Sequence, residues 1–221
     1  MDYSHQWIDG REVEWPLGKI VCVGRNYRDH ALELNNEIPD RPLLFLKPAT
    51  SAVALDAPWD LPSQPLHYET EISVLIGARV KNAGSTEALG AIAGLGLALD
   101  LTDRALQSAL KAKGHPWERA KAFDHSAPLT SFLPMSDAFD LGNLNFSMTM
   151  NGQSRQRDSS SNMLCPIVEL IEAISQVFTL LPGDVVLTGT PAGVGVLEPA
   201  GSFELQLNEY QWQRPSHSAE L

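Results

Sequence analysis

The chain has 221 residues and a formal net charge of −11, with 43% hydrophobic and 19% charged residues. This length can bury a full core in one large domain, and the composition is typical of a globular protein rather than a disordered one. The acidic balance argues against a nucleic-acid partner, because phosphate binding needs clustered lysine and arginine. No segment approaches the roughly 20 apolar residues of a membrane helix, so we expect no membrane partner.

The cysteines and the N-terminus indicate the compartment. Cys22 and Cys165 show no paired spacing and lie in apolar contexts, so we expect buried free thiols rather than a disulfide or a zinc site. The first fifteen residues carry Asp, Glu and His without an apolar segment, which is unlike a signal peptide. These features predict a cytoplasmic protein.

The N-terminal part of the chain is predicted to contain an arm, two strands and a helix. Residues 1–18 include the turn signal Asp9-Gly10 and are expected to form the arm. A short strand is predicted from Lys19 to Gly24, a helix from Arg25 to Leu34, and a second strand from Leu43 to Lys47.

One pair on the predicted helix has a spacing that brings its side chains together. His30 and Glu33 are three residues apart and would share a helix face. The ordinary interpretation of this spacing is an exposed ion pair, which contributes a few tenths of a kcal/mol.

The stretch from Leu66 to Ile76 carries the most chemical information. Its apolar and polar residues alternate, which predicts a half-buried strand. Glu69 and Glu71 would point to one face, about 6.5 to 7 Å apart at Cα. Two ionised carboxylates at this spacing repel each other unless water or a cation lies between them, and Mg²⁺ or Mn²⁺ prefers such oxygen ligands. The alternative is a strand with a solvated acidic face, and this stretch taken alone favours that alternative.

A third carboxylate follows the next predicted strand. Ala91 to Leu101 is apolar and contains Asp100, and an amphipathic helix is predicted from Asp103 to Lys113. An aspartate between a strand and a helix is usually the N-cap. Because Thr102 and Asp103 stand closer to the helix start, Asp100 is available as a ligand.

The next segments predict a hairpin and a helix. Leu144 to Met150 alternates and is followed by Asn151-Gly152, a strong hairpin signal. Pro166 is expected to open a helix in its first turn. The apolar face of that helix consists of Ile167, Leu170, Ile171, Ile174, Val177 and Phe178.

The C-terminal part reads as two strands and a tail. Val185 to Thr188 and Phe203 to Leu207 are predicted strands, and the polar tail after Tyr210 is expected to fray. With many short strands, three sizeable helices and no interior linker, residues 19–221 are predicted to form a single α+β domain dominated by β structure.

A series of short motifs runs from about Lys19 to Leu207, and their order and joint presence form a pattern. They are Gly24-Arg25-Asn26-Tyr27 with His30 and Glu33, Phe45-Leu46-Lys47-Pro48, Glu69-Thr70-Glu71, Ala98-Leu99-Asp100-Leu101-Thr102, Lys121-Ala122-Phe123, Asn151-Gly152, and Pro182-Gly183-Asp184 through Gly189 to Gly195. Together they resemble the fumarylacetoacetate hydrolase family, in its short single-domain branch of acylpyruvate hydrolases and related isomerases and decarboxylases.

The resemblance implies a fold, a cofactor and a set of site residues. The fold would be a β-rich mixed sandwich roll, commonly assembled as a homodimer. A divalent metal, Mg²⁺ or Mn²⁺ (or Ca²⁺ in crystals), would be held by Glu69, Glu71 and Asp100. The other implied roles belong to Lys121 beside the metal, His30 and Glu33 as a water-activating pair on a closing segment, and Arg25, Arg104, Gln107 and Thr190 in contact with the substrate.

The sequence departs from the family pattern after Asp100. The family carries an Arg-Asp pair there, whereas Thr102-Asp103-Arg104-Ala105 keeps the arginine and lacks the acid after it. We therefore expect that Arg104 is positioned differently.

The expected reaction is hydrolysis of a carbon–carbon bond in a 2,4-dioxo acid such as fumarylpyruvate or acetylpyruvate, giving pyruvate and a carboxylic acid. His30, oriented by Glu33, would take a proton from water. The pair favours hydrolysis over oxaloacetate decarboxylation, which needs no activated water.

Three alternatives stay open. Oxaloacetate decarboxylation or tautomerisation and hydroxymuconate-type isomerisation use the same enolate chemistry, and a non-catalytic Ca²⁺-binding β domain would need only the carboxylates. The acyl group is not specified by the sequence. Lys47 and Arg155 are candidate anchors for a second substrate carboxylate or else surface charges.

Overall fold

Fourteen strands and five helices make up the computed structural model, which describes residues 3–216. The strands are β1 (Lys19–Gly24), β2 (Leu43–Pro48), β3 (Ala52–Ala54), β4 (His67–Tyr68), β5 (Thr70–Ile76), β6 (Ile92–Leu99), β7 (Ala127–Leu129), β8 (Leu133–Pro134), β9 (Asn145–Met150), β10 (Gln153–Ser159), β11 (Val185–Leu187), β12 (Gly195–Val196), β13 (Phe203–Leu207) and β14 (Tyr210–Arg214). The helices are α1 (Arg28–Glu33), α2 (Ser85–Gly90), α3 (Arg104–Ala112), α4 (Glu118–Lys121) and α5 (Ile167–Val177).

The strands form one large mixed sheet and two smaller ones. The large sheet has the order β2-β1-β11-β5-β6-β7-β3, with β8 paired to β6. In it β1 runs parallel to β11 and β3 parallel to β7, while the other pairs are antiparallel. A four-stranded sheet, β10-β9-β13-β14, and the pair β12-β4 complete the fold. The predicted β-rich mixed α+β architecture is confirmed.

Both faces of the large sheet are buried. On β1, Val21 and Val23 belong to a core cluster that also contains side chains of β9, β13 and α5, while Ile20 and Cys22 belong to a second cluster. The second cluster includes Val13 from the N-terminal segment. Successive strand residues therefore enter two different cores, as the period of two requires.

This arrangement changes the interpretation of β5. All seven of its residues are buried, so the prediction of a half-buried strand is wrong. Ile72, Val74 and Ile76 face the first cluster, and Leu75 faces the second. The polar residues that alternate with the apolar ones are inside the protein.

The first helix is shorter than predicted. It begins at Arg28 because Arg25 has a left-handed backbone, with φ of 59°, and Tyr27 is extended. The side chain of Asn26 donates to the carbonyl oxygens of Thr188 (2.8 Å) and Cys165 (3.0 Å). These long-range bonds hold the segment in a non-helical path that a local propensity does not reveal.

The predicted hairpin is confirmed, and the predicted helix is confirmed except at Val177 and at Phe178, which follows the helix in an extended conformation. Asn151 and Gly152 join β9 to β10 with φ of 52° and 73°, the left-handed pair that a tight hairpin turn requires. Helix α5 begins directly after Pro166. Val177 is 60% exposed, so its assignment to the buried face is wrong.

The segment after Tyr210 is ordered into a strand. β14 pairs with β13 along its full length, and Trp212 is buried, so the expected fraying does not occur there. The remainder of the predicted tail, residues 217–221, lies outside the described residues.

The remaining predictions concern the chain as a whole. Both cysteines are free, Cys22 being buried and Cys165 half-buried. Within the described part of the chain, no helix has the length and hydrophobicity needed to cross a bilayer. The division into an arm and a domain at residue 18, the cytoplasmic location and the homodimer stay predictions.

Candidate active site

Three buried carboxylates converge where β5 begins and the neighbouring strand β6 ends, in the middle of the large sheet. Glu69 lies between β4 and β5, Glu71 lies in β5, and Asp100 follows β6. One oxygen of each lies within 4.8 Å of the others. Glu69 and Glu71 are 4% and 1% exposed, so the alternative of a solvated acidic face is wrong.

Three cationic side chains balance this cluster. Lys121 Nζ lies 2.7 Å from Glu69 Oε2 and 2.6 Å from Asp100 Oδ2. Lys47 Nζ lies 2.8 Å from Asp100 Oδ1, and Arg104 Nη2 pairs with Glu69 Oε1. Counted by side chains alone, three acids face three bases.

The charges are distributed unevenly among the acids. Burial opposes ionisation of Glu69, but Lys121 and Arg104 outweigh it and hold the pKa of this carboxyl well below its usual value. Burial likewise opposes the charge on Lys121, but Asp100 and Glu69 outweigh it and raise the pKa of the ammonium. The pKa of Glu71 is raised well above its usual value by burial and by the charges of Asp100 and Glu69. Glu71 accepts a hydrogen bond from Gly189 N, at 2.6 Å.

Lys47 is a structural cation behind the cluster. It is fully buried, and Nζ donates to Ser126 O (2.9 Å), to Ser126 Oγ (3.0 Å) and to the carbonyl of Lys121. Arg155 lies 3.8 Å from Glu198 and does not line the cavity that contains the three carboxylates. The interpretation of Lys47 as a surface charge is wrong, and neither residue lies where it would anchor a substrate carboxylate.

Replacing Lys47 tests its structural role. We expect Lys47→Met to lower the free energy of unfolding by about 3 to 5 kcal/mol, because it leaves the buried charge of Asp100 without one of its partners. Urea denaturation of the metal-free protein measures this. Lys113→Met, at an exposed position, is the matched control and should change stability by less than about 0.5 kcal/mol. Equal stability of the two variants would contradict the assignment.

His30 and Glu33 lie on α1, facing the cluster from the other side. His30 is 5% exposed whereas Glu33 is exposed, so the interpretation of an exposed pair is wrong for His30 and holds for Glu33. His30 Nδ1 is 3.4 Å from Glu33 Oε2, and Gly193 N donates to both oxygens of Glu33, at 3.1 and 3.3 Å. Burial lowers the pKa of His30, although Glu69 opposes this shift. The imidazole is therefore neutral at pH 7.

Gly193 is required by its surroundings. Its φ is +96°, and a Cβ at this position would lie 2.5 Å from the carbonyl oxygen of Arg155. Only glycine accommodates both conditions. The glycine-rich loop, residues 189–195, thereby comes close enough to α1 to hydrogen-bond Glu33.

Arg104 is positioned by residues other than an acid after it. Asp103 caps α3 by accepting from Leu106 N at 2.9 Å, which confirms that Asp100 is not needed as the cap. Arg104 Nη1 donates to Gln107 Oε1 at 2.7 Å, and Nη2 pairs with Glu69. The departure from the family motif is compensated by these two contacts.

Thr190 lies on the cavity wall with its hydroxyl already engaged. Oγ1 donates to Thr70 O at 2.9 Å and accepts from Gln156 Nε2 at 2.8 Å. Gln156 also accepts from Thr70 N at 2.8 Å. Gln156 thus holds the loop against β5, a role that a single glutamine in a polar strand did not reveal.

The structure brings nine of the ten predicted site residues to one cavity, and Glu33 lies behind His30. The lining includes Arg25, His30, Glu69, Glu71, Asp100, Arg104, Gln107, Lys121 and Thr190. Phe45, Asn36, Lys111 and Trp117 also line it and were not predicted. Lys111 lies on an amphipathic helix, where a lysine is ordinarily a solvated charge.

A larger cavity lies elsewhere on the molecule. It has a volume of about 370 Å³ and is lined by residues of the N-terminal segment, β3 and β14, among others. Its lining contains no lysine or arginine. The three carboxylates, Arg104 and Lys121 all line the smaller cavity.

Comparison with known proteins identifies the family. The profile described as "Fumarylacetoacetate (FAA) hydrolase C-terminal" matches residues 19–217. Oxaloacetate tautomerase YcgM of Escherichia coli is 45% identical over 199 residues, covering 89% of this chain and 91% of that protein. The mitochondrial oxaloacetate decarboxylase of Dictyostelium discoideum is 40% identical over 189 residues, covering 84% and 87%.

A solved structure shares the fold. Fumarylpyruvate hydrolase from Pseudomonas aeruginosa, in complex with Mn²⁺ and pyruvate, superposes with a TM-score of 0.87 at 31% identity. The match covers 97% of this chain and 95% of that one.

These comparisons correct the expected function. Relatives at 38 to 45% identity are oxaloacetate tautomerases or a decarboxylase, so the expectation of acylpyruvate hydrolysis is wrong. The physical reason is that a histidine beside a carboxylate can transfer a proton to or from a substrate atom as well as from water, so the pair does not specify hydrolysis. A non-catalytic Ca²⁺-binding domain is wrong as well, because the relatives are enzymes. The chain belongs to the fumarylacetoacetate hydrolase family.

Proposed function

We propose that this protein is an oxaloacetate tautomerase, which interconverts the enol and keto forms of oxaloacetate. The observation that carries the proposal is its likeness, over most of the chain, to oxaloacetate tautomerases. Decarboxylation of the same acid is the second candidate, because one relative is a decarboxylase. Both reactions place negative charge on the enolate oxygen.

A divalent ion fits the acid cluster. Three buried carboxylates offer hard oxygen ligands, and burial together with the charges of Asp100 and Glu69 raises the pKa of Glu71. Mg²⁺ and Mn²⁺ prefer this donor set, and Glu69, Glu71 and Asp100 would hold the ion. The chemistry that such an ion supplies is electrostatic stabilisation of negative charge on substrate oxygens.

His30 would move the proton. Conversion of the enol removes its hydroxyl proton and adds a proton at C3, which leaves the formula unchanged. A neutral imidazole can accept one and donate the other. His30 is buried beside the cluster, and its Nδ1 faces Glu33, so Nε2 is the nitrogen left for the substrate.

Lys121 and Arg104 would stabilise the charge that develops. Lys121 stays protonated because its pKa is raised, so it acts as a cation and not as a base. Arg104 is fixed by Glu69 and Gln107. Fixed charges in a buried site stabilise an enolate without reorganising.

The test separates tautomerisation from decarboxylation. Crystalline enol oxaloacetate is dissolved with Mg²⁺, and malate dehydrogenase with NADH reports the keto form as it appears. Lactate dehydrogenase with NADH reports pyruvate in a parallel sample. A faster keto signal without extra pyruvate supports the tautomerase, extra pyruvate supports the decarboxylase, and neither signal above the enzyme-free blank overturns the proposal.

A His30→Asn variant tests the proton carrier. We expect kcat to fall by about 10² to 10⁴. The lowered pKa of His30 has a further consequence for the wild type. The imidazole is neutral at and above the ordinary value of 6.5, so kcat/KM should be constant there and decline only at lower pH, as the pH falls through the lowered pKa. A wild-type profile that rises steadily toward higher pH would contradict the role.

A further inference from the structure

Two cations at the mouth of the cavity have no acidic partner. Arg25 and Lys111 line the cavity, and neither forms a salt bridge among the described residues. The three inner cations already balance the three inner acids, so these two are additional positive charges.

The two cations come from different parts of the fold and meet at the segment after α1. Lys111 Nζ, on α3, donates to Asn36 Oδ1 at 2.6 Å. Arg25 Nη1 donates to the carbonyl of Glu37 at 3.2 Å. Both acceptors are neutral oxygens, so each positive charge still lacks a counter-charge.

Their mutual proximity costs free energy. The pKa of Lys111 is lowered by burial and by the neighbouring charges of Arg25 and Arg104. Arg25 also holds a left-handed backbone, with φ of 59°, which is strained for a non-glycine residue. A conformation of this kind, kept beside a site, points to a functional requirement.

Arg104 interacts both with the acid cluster and with the outer cation Lys111. Its guanidinium pairs with Glu69 on the floor, and its charge also acts on Lys111 at the mouth. The acid cluster and the two outer cations line one cavity, so one ligand can contact both.

We propose that Arg25 and Lys111 bind the second carboxylate of a four-carbon 2-oxo dicarboxylate and so select it over monocarboxylates. This inference rests on the proposed function, which supplies such a substrate. The 2-oxo carboxylate end would lie at the acid cluster, and the distal carboxylate would lie between the two cations. The distal carboxylate would accept a charge-assisted hydrogen bond from each of the two cations.

The test compares two ligands that differ only at the distal group. 3,3-Difluoro-oxaloacetate has both carboxylates and cannot enolise, and 3,3-difluoro-2-oxobutanoate has a methyl group instead of the distal carboxylate. Calorimetric titration with Mg²⁺ measures both. We expect the wild type to bind the dicarboxylate at least about tenfold more tightly, and Lys111→Met and Arg25→Gln each to lose about fivefold to tenfold of that affinity.

Selectivity is the decisive feature. Binding of the monocarboxylate should change less than about twofold in either variant, and Lys113→Met should bind both ligands as the wild type does. Equal losses for both ligands, no loss for either, or a wild type that does not distinguish them would overturn the inference.

The two proposals fail separately. If the wild type does not convert enol oxaloacetate but prefers the dicarboxylate, and the variants lose that preference, the subsite stands and the tautomerase does not. If the wild type converts oxaloacetate and the variants keep its preference, the subsite is wrong and the proposed function stands.

Discussion

A Glu71→Gln variant should keep its fold while metal-dependent turnover falls by about 10³ or more. No cationic side chain is bonded to the Glu71 carboxylate, and its only hydrogen bond among the described residues comes from Gly189 N, at 2.6 Å. A glutamine oxygen can accept the same bond. Titration with Mn²⁺, followed by its electron paramagnetic resonance signal, should show an affinity lower by roughly 100-fold or more.

Glu69→Gln is the comparison that makes this test specific. Glu69 pairs with Lys121 and Arg104, so its neutralisation leaves two cations short of a partner and should cost about 3 to 5 kcal/mol. Glu71→Gln should leave the stability of the metal-free protein unchanged or increase it. Strong destabilisation by Glu71→Gln, or full Mn²⁺ affinity, would contradict the assignment.

The raised pKa of Glu71 also links stability to pH. Its folded-state pKa exceeds the ordinary 4.5, so the folded protein binds this proton more tightly than the unfolded chain does. The metal-free protein should therefore lose stability as pH rises above 4.5 through the raised pKa. Mg²⁺ takes the place of that proton, so its effect on Tm should be larger near pH 8 than near pH 6, and Glu71→Gln should reduce the difference.

Lys121→Met should lower kcat by about 10² to 10³ with a smaller effect on KM. Lys121 is buried between Glu69 and Asp100 and stays charged. Its loss removes a cation from the place where enolate charge would develop. The carboxylates would lose a competitor for the metal, so Mn²⁺ affinity should be kept or increased, in contrast to Glu71→Gln.

Two further variants define what Lys121 supplies. Lys121→Arg keeps the charge with a different geometry and should restore only part of the activity. Lys113→Met removes an exposed lysine and should leave kcat unchanged. If Lys121→Met turns over oxaloacetate as fast as the wild type, the enolate is stabilised without this residue.

The sequence by itself predicted the elements with strong local signals. The Asn151-Gly152 hairpin depends on a left-handed turn that these two residues adopt readily, and α5 depends on an apolar period after Pro166. The acids could be assembled because the period of a strand places Glu69 and Glu71 on one face. Asp100 remained available because Asp103 stood closer to the helix start. Asp103 caps α3 as expected.

Only the tertiary structure decided which polar residues are inside. The alternation in β5 is that of a half-buried strand, but the second core covers its polar face. Lys47 ends an apolar run in the sequence, and only the packing of β2 against Ser126 and Asp100 shows it to be a buried cation. Burial and long-range pairing depend on contacts between distant segments, which local patterns do not contain.

The tertiary structure also decided the environment of the chemistry. Sequence spacing brings His30 and Glu33 together, but the burial that keeps His30 neutral comes from the fold. Lys111 is one more lysine on an amphipathic helix until the fold places it beside Arg25 at the cavity mouth. The residue types were readable from the chain, whereas their charge states and neighbours follow from how distant segments exclude water around them.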